Sequence, residues 1–94
     1  MFTEIQKLAY MLACTCIPYE ATPLFNGLHI EYPNHANCVC SVICHDGSYG
    51  HQDGLLEIMG LLTDEEAEFD SVKGWLEADE VFKRISAHYF HKED

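Results

Sequence analysis

The residues best suited to metal or redox chemistry are five cysteines and six histidines in a chain of 94 residues. The relevant positions are Cys14, Cys16, Cys38, Cys40, Cys44 and His45. Zinc takes four thiolate or imidazole ligands in tetrahedral geometry, so a metal-binding or thiol-redox module on Cys38, Cys40, Cys44 and His45 is one hypothesis. The spacing favours another interpretation, because residues two apart on a helix point about 200° apart and no Cys-x-x-Cys occurs. We therefore expect the cysteines to be small, buried, hydrophobic side chains, with Cys38 and Cys40 facing the core. No cofactor is expected.

The tripeptide Cys44-His45-Asp46 contains the residue types of a nucleophile, a base and a residue that orients the base. Neighbouring residues on a strand point to opposite faces, so Cys44 and His45 do not pair easily. Catalytic groups assemble in space, which leaves a small hydrolase using the 45–54 loop as an alternative. The chain has no nucleophile elbow, no phosphate-binding glycine loop with its lysine and no HExxH motif. The sequence therefore favours a protein that is not an enzyme.

Carboxylates are concentrated in two neighbouring segments of the C-terminal half. The candidate partner-binding residues there are Asp64, Glu65, Glu66, Glu68, Asp70, Glu77, Asp79 and Glu80. Carboxylates spaced over a surface can imitate a phosphate backbone and enter the basic groove of a nucleic-acid-binding protein. A solvated face with no partner is the alternative. The spacing does not match the twelve-residue calcium loop with its central glycine.

The overall charge supports the same hypothesis. Sixteen Asp and Glu against five Lys and Arg give a formal net charge of −11. Such a surface repels phosphates and anionic lipids, so neither direct nucleic-acid binding nor membrane binding is expected. It attracts and steers the basic surface of a protein partner. Solubility alone is the alternative explanation of the excess charge.

The glycine-containing segment from His45 to Gly54 is predicted to be a loop. It combines backbone freedom with Tyr49, His51 and Asp53, which we include among the candidate partner-binding residues. A connector whose glycines satisfy turn geometry is the alternative.

These residues must be positioned by a small set of elements. Thr3 and Gln6 form a capping-box pattern ahead of an apolar stripe that predicts a first helix. Strands are predicted at 17–22, 28–32 and 38–45, with Asn26-Gly27 as a turn signal. A buried helix is predicted at 55–62, a short strand at 71–76 and a last helix from Glu77. Trp75 and Phe82 fit the buried pattern.

The predicted order α-β-β-β-α-(β)-α describes an α+β fold, with helices on one face of an antiparallel sheet of three to four strands. The length predicts one domain over residues 1–94. No run of about 18 apolar residues occurs, and the first residues lack the cationic start of a secretory signal. An odd number of cysteines is typical of a reducing compartment, so a cytoplasmic location is expected.

The stretch from Ser48 to Gly60 reads SYGHQDGLLEIMG, and Asp70 to Leu76 reads DSVKGWL ahead of a predicted helix. These stretches resemble uncharacterised small acidic proteins encoded by phages and prophages of Gram-positive bacteria. The resemblance implies a mobile-element origin and an accessory protein in the host cytoplasm. It also implies one specific hypothesis: an inhibitor of a host nucleic-acid-handling defence system, either anti-CRISPR-like or a nucleic-acid mimic.

Overall fold

The computed structural model describes residues 3–24, 27–44 and 54–91. Within them the elements are α1 (Glu4–Cys14), β1 (Glu20–Leu24), β2 (Gly27–Tyr32), β3 (Cys40–Cys44), β4 (Leu56–Met59), α2 (Asp64–Phe69), β5 (Val72–Leu76) and α3 (Ala78–His91). The strands form one sheet in chain order, and each neighbouring pair is antiparallel. The predicted α+β fold is confirmed, with five strands where three to four were expected.

One face of the sheet carries the core. Ile30 on β2 is opposite Val42 on β3, and Val42 is opposite Ile58 on β4, so all three side chains point the same way. All three are fully buried. The predicted apolar stripes of α1 and α3 cover this face, through Ile5, Leu8 and Leu12 of α1 and Ala78, Val81 and Ile85 of α3. Removing this apolar surface from water is the main force that holds the helices on the sheet.

The ends of the two long helices are fixed by polar contacts. The predicted capping box of α1 is present, with the Thr3 hydroxyl accepting from the Gln6 amide and the Gln6 side chain accepting from the Thr3 amide. At the start of α3 the Glu4 carboxylate accepts a hydrogen bond from the Ala78 amide, at 2.8 Å. Because Glu4 belongs to α1, this contact joins the N-terminal ends of both helices and satisfies a donor that the helix leaves unpaired.

The prediction of a helix at 55–62 is wrong, because Leu56–Met59 forms the strand β4. This strand lies between β3 and β5, and its first three residues are all buried. The stretch 55–62 is apolar at every position except Glu57 and Gly60, and a short, mostly apolar run of this kind is compatible with a strand or with a buried helix. Two other predictions are shifted: the strand expected at 17–22 lies at Glu20–Leu24, and the one expected at 38–45 lies at Cys40–Cys44.

The prediction of buried cysteines is correct for Cys40 but wrong for Cys14, Cys16 and Cys38, which are exposed. Cys38 precedes β3, so the alternation of faces along the strand does not govern it. Cys16 follows α1 with φ +59°, and the amides of Cys16 and Ile17 bond back to the carbonyls of Ala13 and Leu12. This is a helix-ending motif in which glycine is the usual residue, and it turns the Cys16 side chain towards solvent.

Candidate protein-binding surface

Arg84 joins the two acidic segments that the sequence separates. Its guanidinium donates two parallel hydrogen bonds to the Glu66 carboxylate, at 2.7 and 2.8 Å. Its Nε donates to Glu80 at 2.8 Å, and Nη1 donates to the Leu61 carbonyl at 3.1 Å. Glu66 lies on α2 while Arg84 and Glu80 lie on α3, so this one side chain ties α2 to α3. One carboxylate from each segment, Glu66 from 64–70 and Glu80 from 77–80, therefore meets the same guanidinium in the folded protein.

The contact with Arg84 changes the role of two predicted partner-binding residues. Hydrogen bonding to the guanidinium lowers the pKa of Glu66 to about 2. The Glu66 and Arg84 side chains are only 19% and 15% exposed, so this pair is largely withdrawn from solvent. Bidentate pairs of this kind are among the stronger polar contacts in proteins. Glu66, and to a lesser degree Glu80, thus stabilise the fold rather than standing free to meet a partner.

Six other predicted carboxylates are exposed: Asp64, Glu65, Glu68, Asp70, Glu77 and Asp79. We call these six residues the acidic face. Its part on α2 is not shaped by core packing, because α2 buries no residue. A capping box between Thr63 and Glu66, together with the bond to Arg84, fixes this short helix. Two exposed lysines, Lys73 on β5 and Lys83 on α3, oppose these six carboxylates. Negative charge therefore still dominates this part of the surface.

Trp75 differs most from its prediction. It was expected in the core, yet its side chain is 57% exposed. The register between β4 and β5 shifts between Leu56 and Ile58, and Trp75 has φ +63° beside that irregularity. An extra residue in one strand re-aims the side chains that follow it. Leu76 therefore faces the core while Trp75 faces out, whereas Phe82 packs against the core as expected.

A groove of about 410 Å³ opens beside this tryptophan. Its walls are Trp75, Leu76, Glu77, Asp79, Glu80 and Lys83, at the junction of β5 and α3. Phe69, the last residue of α2, is 92% exposed. Large exposed aromatic side chains beside charged residues are typical of protein-binding surfaces. The acidic segments therefore carry apolar contact residues as well as charge.

The cysteines do not form the alternative site within the described residues. Burial raises the pKa of Cys40 to about 12 and also raises that of Cys44, so both remain protonated near neutral pH. The thiolate is the form that binds metals and attacks disulfides. Across residues 3–24, 27–44 and 54–91, no three His, Cys, Asp or Glu side chains are grouped to hold a metal ion. His45 lies outside the described residues.

The 45–54 loop is outside the described residues up to position 53, which includes Tyr49, His51 and Asp53. Their predicted role in partner binding, and the hydrolase alternative built on this loop, therefore stay predictions.

Sequence reasoning missed a polar cluster on the sheet face opposite the core. The His29 imidazole is hydrogen-bonded to the Ser41 hydroxyl at 2.6 Å, and His35 pairs with Glu31 at 2.8 Å. The Glu31 carboxylate raises the pKa of His35, and Glu20 accepts from the His35 backbone amide. These contacts fasten the 33–37 turn to β1 and β2. The alternation of His29, Ile30 and Glu31 was the only signal of this second face.

Three comparisons with known proteins found no match. No protein-family model matches it, and neither the curated proteins nor the solved structures include a match. In the part of the chain that the structure describes, no helix is both long and apolar enough to cross a membrane.

Proposed function

We propose that this domain is a non-enzymatic accessory protein that binds a basic protein surface, using the acidic face for charge and Trp75 as an apolar anchor. The proposal extends the sequence hypothesis, with Glu66 now assigned to the fold. The partner class that fits best is a nucleic-acid-handling protein of a host cell, because its basic groove matches an array of carboxylates. An inhibitor of host defence encoded by a phage is the form of this function that the sequence resemblance favours.

The observation that carries the proposal is the position of Trp75. A non-glycine residue in the left-handed region costs about 1–2 kcal/mol, and an exposed ring also gives up much of its hydrophobic stabilisation. The register shift between β4 and β5 accounts for the direction of this side chain, but not for the choice of a tryptophan at a position with φ +63° and more than half of its side chain in water. Tryptophan is enriched among the residues that dominate binding energy at interfaces. An unusual backbone conformation is a reasonable starting point for a functional hypothesis.

Electrostatics supplies the second argument. A net charge of −11 on a domain this small accelerates encounter with a basic partner and disfavours acidic ones. The six carboxylates of the acidic face are exposed, so their attraction is screened by salt over about 10 Å at 0.1 M. Binding should therefore weaken as ionic strength rises, while the contribution of Trp75 should not.

The test compares two variants of equal net charge. Glu65→Gln with Glu68→Gln removes two charges from the acidic face and spares the bond to Arg84. Glu20→Gln with Thr22→Lys raises the net charge by the same two units at exposed positions of β1, and glutamine can still accept from the His35 amide. Binding is measured by calorimetry against a panel of purified nucleases and other nucleic-acid-binding proteins with basic clefts, from about 50 to about 300 mM NaCl.

We expect at least one panel member to bind, with affinity about tenfold lower in the acidic-face variant and nearly unchanged in the control. Trp75→Ala should cost about 2 kcal/mol of binding free energy, which is typical of a dominant contact. Equal losses in both charge variants would show that only net charge matters. Failure of every panel member to bind would reject the partner class.

A further inference from the structure

We infer that the groove beside Trp75 is a receptor for a single arginine side chain of the partner. This inference rests on the proposed function and makes it more specific, since it assigns one contact chemistry to one place on the surface.

The aromatic wall favours a guanidinium. Trp75 offers the most strongly cation-attracting ring among the side chains, and its exposed fraction of 57% leaves ring surface available for stacking. A guanidinium is planar and weakly hydrated, so it stacks on an aromatic ring at smaller desolvation cost than an ammonium group. Leu76 supplies an apolar part of the groove for the methylene stem of the incoming side chain.

The charged wall favours a cation as well. Glu77, Asp79 and Glu80 line the groove beside one ammonium group, that of Lys83. Arg84 already donates to Glu80, and Lys7 of α1 interacts electrostatically with Glu77 and Asp79, so the negative charge offered to a ligand lies mainly on Glu77 and Asp79. The positive end of the α3 dipole is worth about half an elementary charge, so it offsets only part of this excess. Glu77 and Asp79 are exposed, and the Glu80 side chain is 43% exposed although it accepts from Arg84. The Arg84–Glu80 bond shows that a carboxylate of this groove can accept from a guanidinium.

Other occupants fit less well. An anionic ligand would meet the three carboxylates directly. A second copy of this chain would bring another net charge of −11 to the same surface. A neutral apolar side chain could contact Trp75 but would gain nothing from the exposed carboxylates of Glu77 and Asp79. An arginine from a basic protein satisfies the ring and the carboxylates together.

The experiment uses the tryptophan as its own reporter. The chain contains one tryptophan and five tyrosines, so fluorescence excited at wavelengths that only tryptophan absorbs reports on Trp75. The intact protein is titrated at constant ionic strength with three probes: N-acetyl-arginine methylamide, its lysine counterpart and its citrulline counterpart. Citrulline preserves the shape of arginine without the charge. We expect a saturable change with the arginine probe at a dissociation constant of about 1–10 mM, about fivefold weaker binding of lysine and no saturation with citrulline.

Variants locate the binding. Glu77→Gln with Asp79→Asn should weaken binding of the arginine probe about tenfold, while Glu20→Gln with Thr22→Lys, on β1 and outside the groove, should leave it unchanged. Trp75→Leu, followed by amide chemical shifts of Leu76 and Glu77, should also weaken it. An equal response to citrulline, or unchanged affinity in the groove variant, would overturn the arginine assignment. If the probe fails while the acidic-face variant still loses partner affinity selectively, only the groove inference is rejected and the proposed function stands.

Discussion

Replacing Arg84 with methionine should detach α2 from the rest of the domain. Methionine keeps much of the length and apolar stem of arginine but removes every hydrogen bond of the guanidinium. Because α2 has six residues and buries none of them, it lacks the hydrophobic contacts that hold most helices in place. Its remaining support would be the Thr63 capping box and its contacts with β5.

The size of the effect follows from the four contacts. The bidentate bond to Glu66, at about one-sixth exposure of both side chains, is worth about 1–1.5 kcal/mol. The bond to the Leu61 carbonyl is worth about 1 kcal/mol. The bond to the more exposed Glu80 is worth about 0.3–0.5 kcal/mol. The expected loss is therefore about 2–3 kcal/mol, a large share of the roughly 5–14 kcal/mol typical of a domain of this length.

Two measurements check this estimate. Urea denaturation gives the change in the free energy of unfolding. Amide hydrogen exchange gives the local effect, read at Ala67 and Asp70, whose amides donate to the carbonyls of Thr63 and Glu66. We expect these amides to lose their protection in Arg84→Met while those of α1 keep theirs. The control is Lys83→Met, which removes the same charge from the neighbouring exposed position and should change stability by less than about 0.5 kcal/mol.

The reasoning would be refuted by a loss below about 0.5 kcal/mol together with unchanged exchange at Ala67 and Asp70. That result would mean that the Arg84 contacts exchange for water without net cost. An equal loss in Lys83→Met would instead attribute the effect to total charge.

Three further predictions concern Glu66, Gly60 and Tyr32. The pKa of Glu66 is lowered to about 2 in the folded protein, so the contribution of Glu66 to the free energy of unfolding is complete above its unfolded pKa and is lost as pH falls towards 2. Denaturation measured across this pH range should therefore show a smaller loss of stability in acid for Glu66→Gln than for the wild type. Gly60 has φ +99°, and a Cβ there would overlap the Val39 carbonyl oxygen, so Gly60→Ala should lower the free energy of unfolding by about 3 kcal/mol or more. The control is Gly54→Ala, where a Cβ would meet open space, and thermal denaturation should show a loss of only about 1 kcal/mol. Tyr32→Phe removes the hydroxyl that is hydrogen-bonded to His88 Nδ1 at 2.7 Å, and should cost about 1 kcal/mol in urea denaturation.

The first and last helices were predictable because their signals are local, whereas α2 was not predicted. The Thr3–Gln6 box and the stripe of Ile5, Leu8 and Leu12 lie within one segment, and the structure confirms both. The strand β4 was missed because its burial on both faces depends on β3 and β5, which are distant along the chain. Leu56, Glu57 and Ile58 alternate as they would in a strand, but this run is too short to separate a strand from a buried helix.

The acidic face shows the same division. The sequence alone determines that the protein is strongly negative and that its carboxylates are concentrated near the C-terminal half. Only the tertiary structure decides which of them are available, since Glu66 meets an arginine 18 residues away. It also decides that Trp75 is exposed, because the register shift between β4 and β5 sets the direction of that side chain. Composition and local periodicity are properties of short segments, whereas exposure and ion pairing depend on which segments the fold brings into contact.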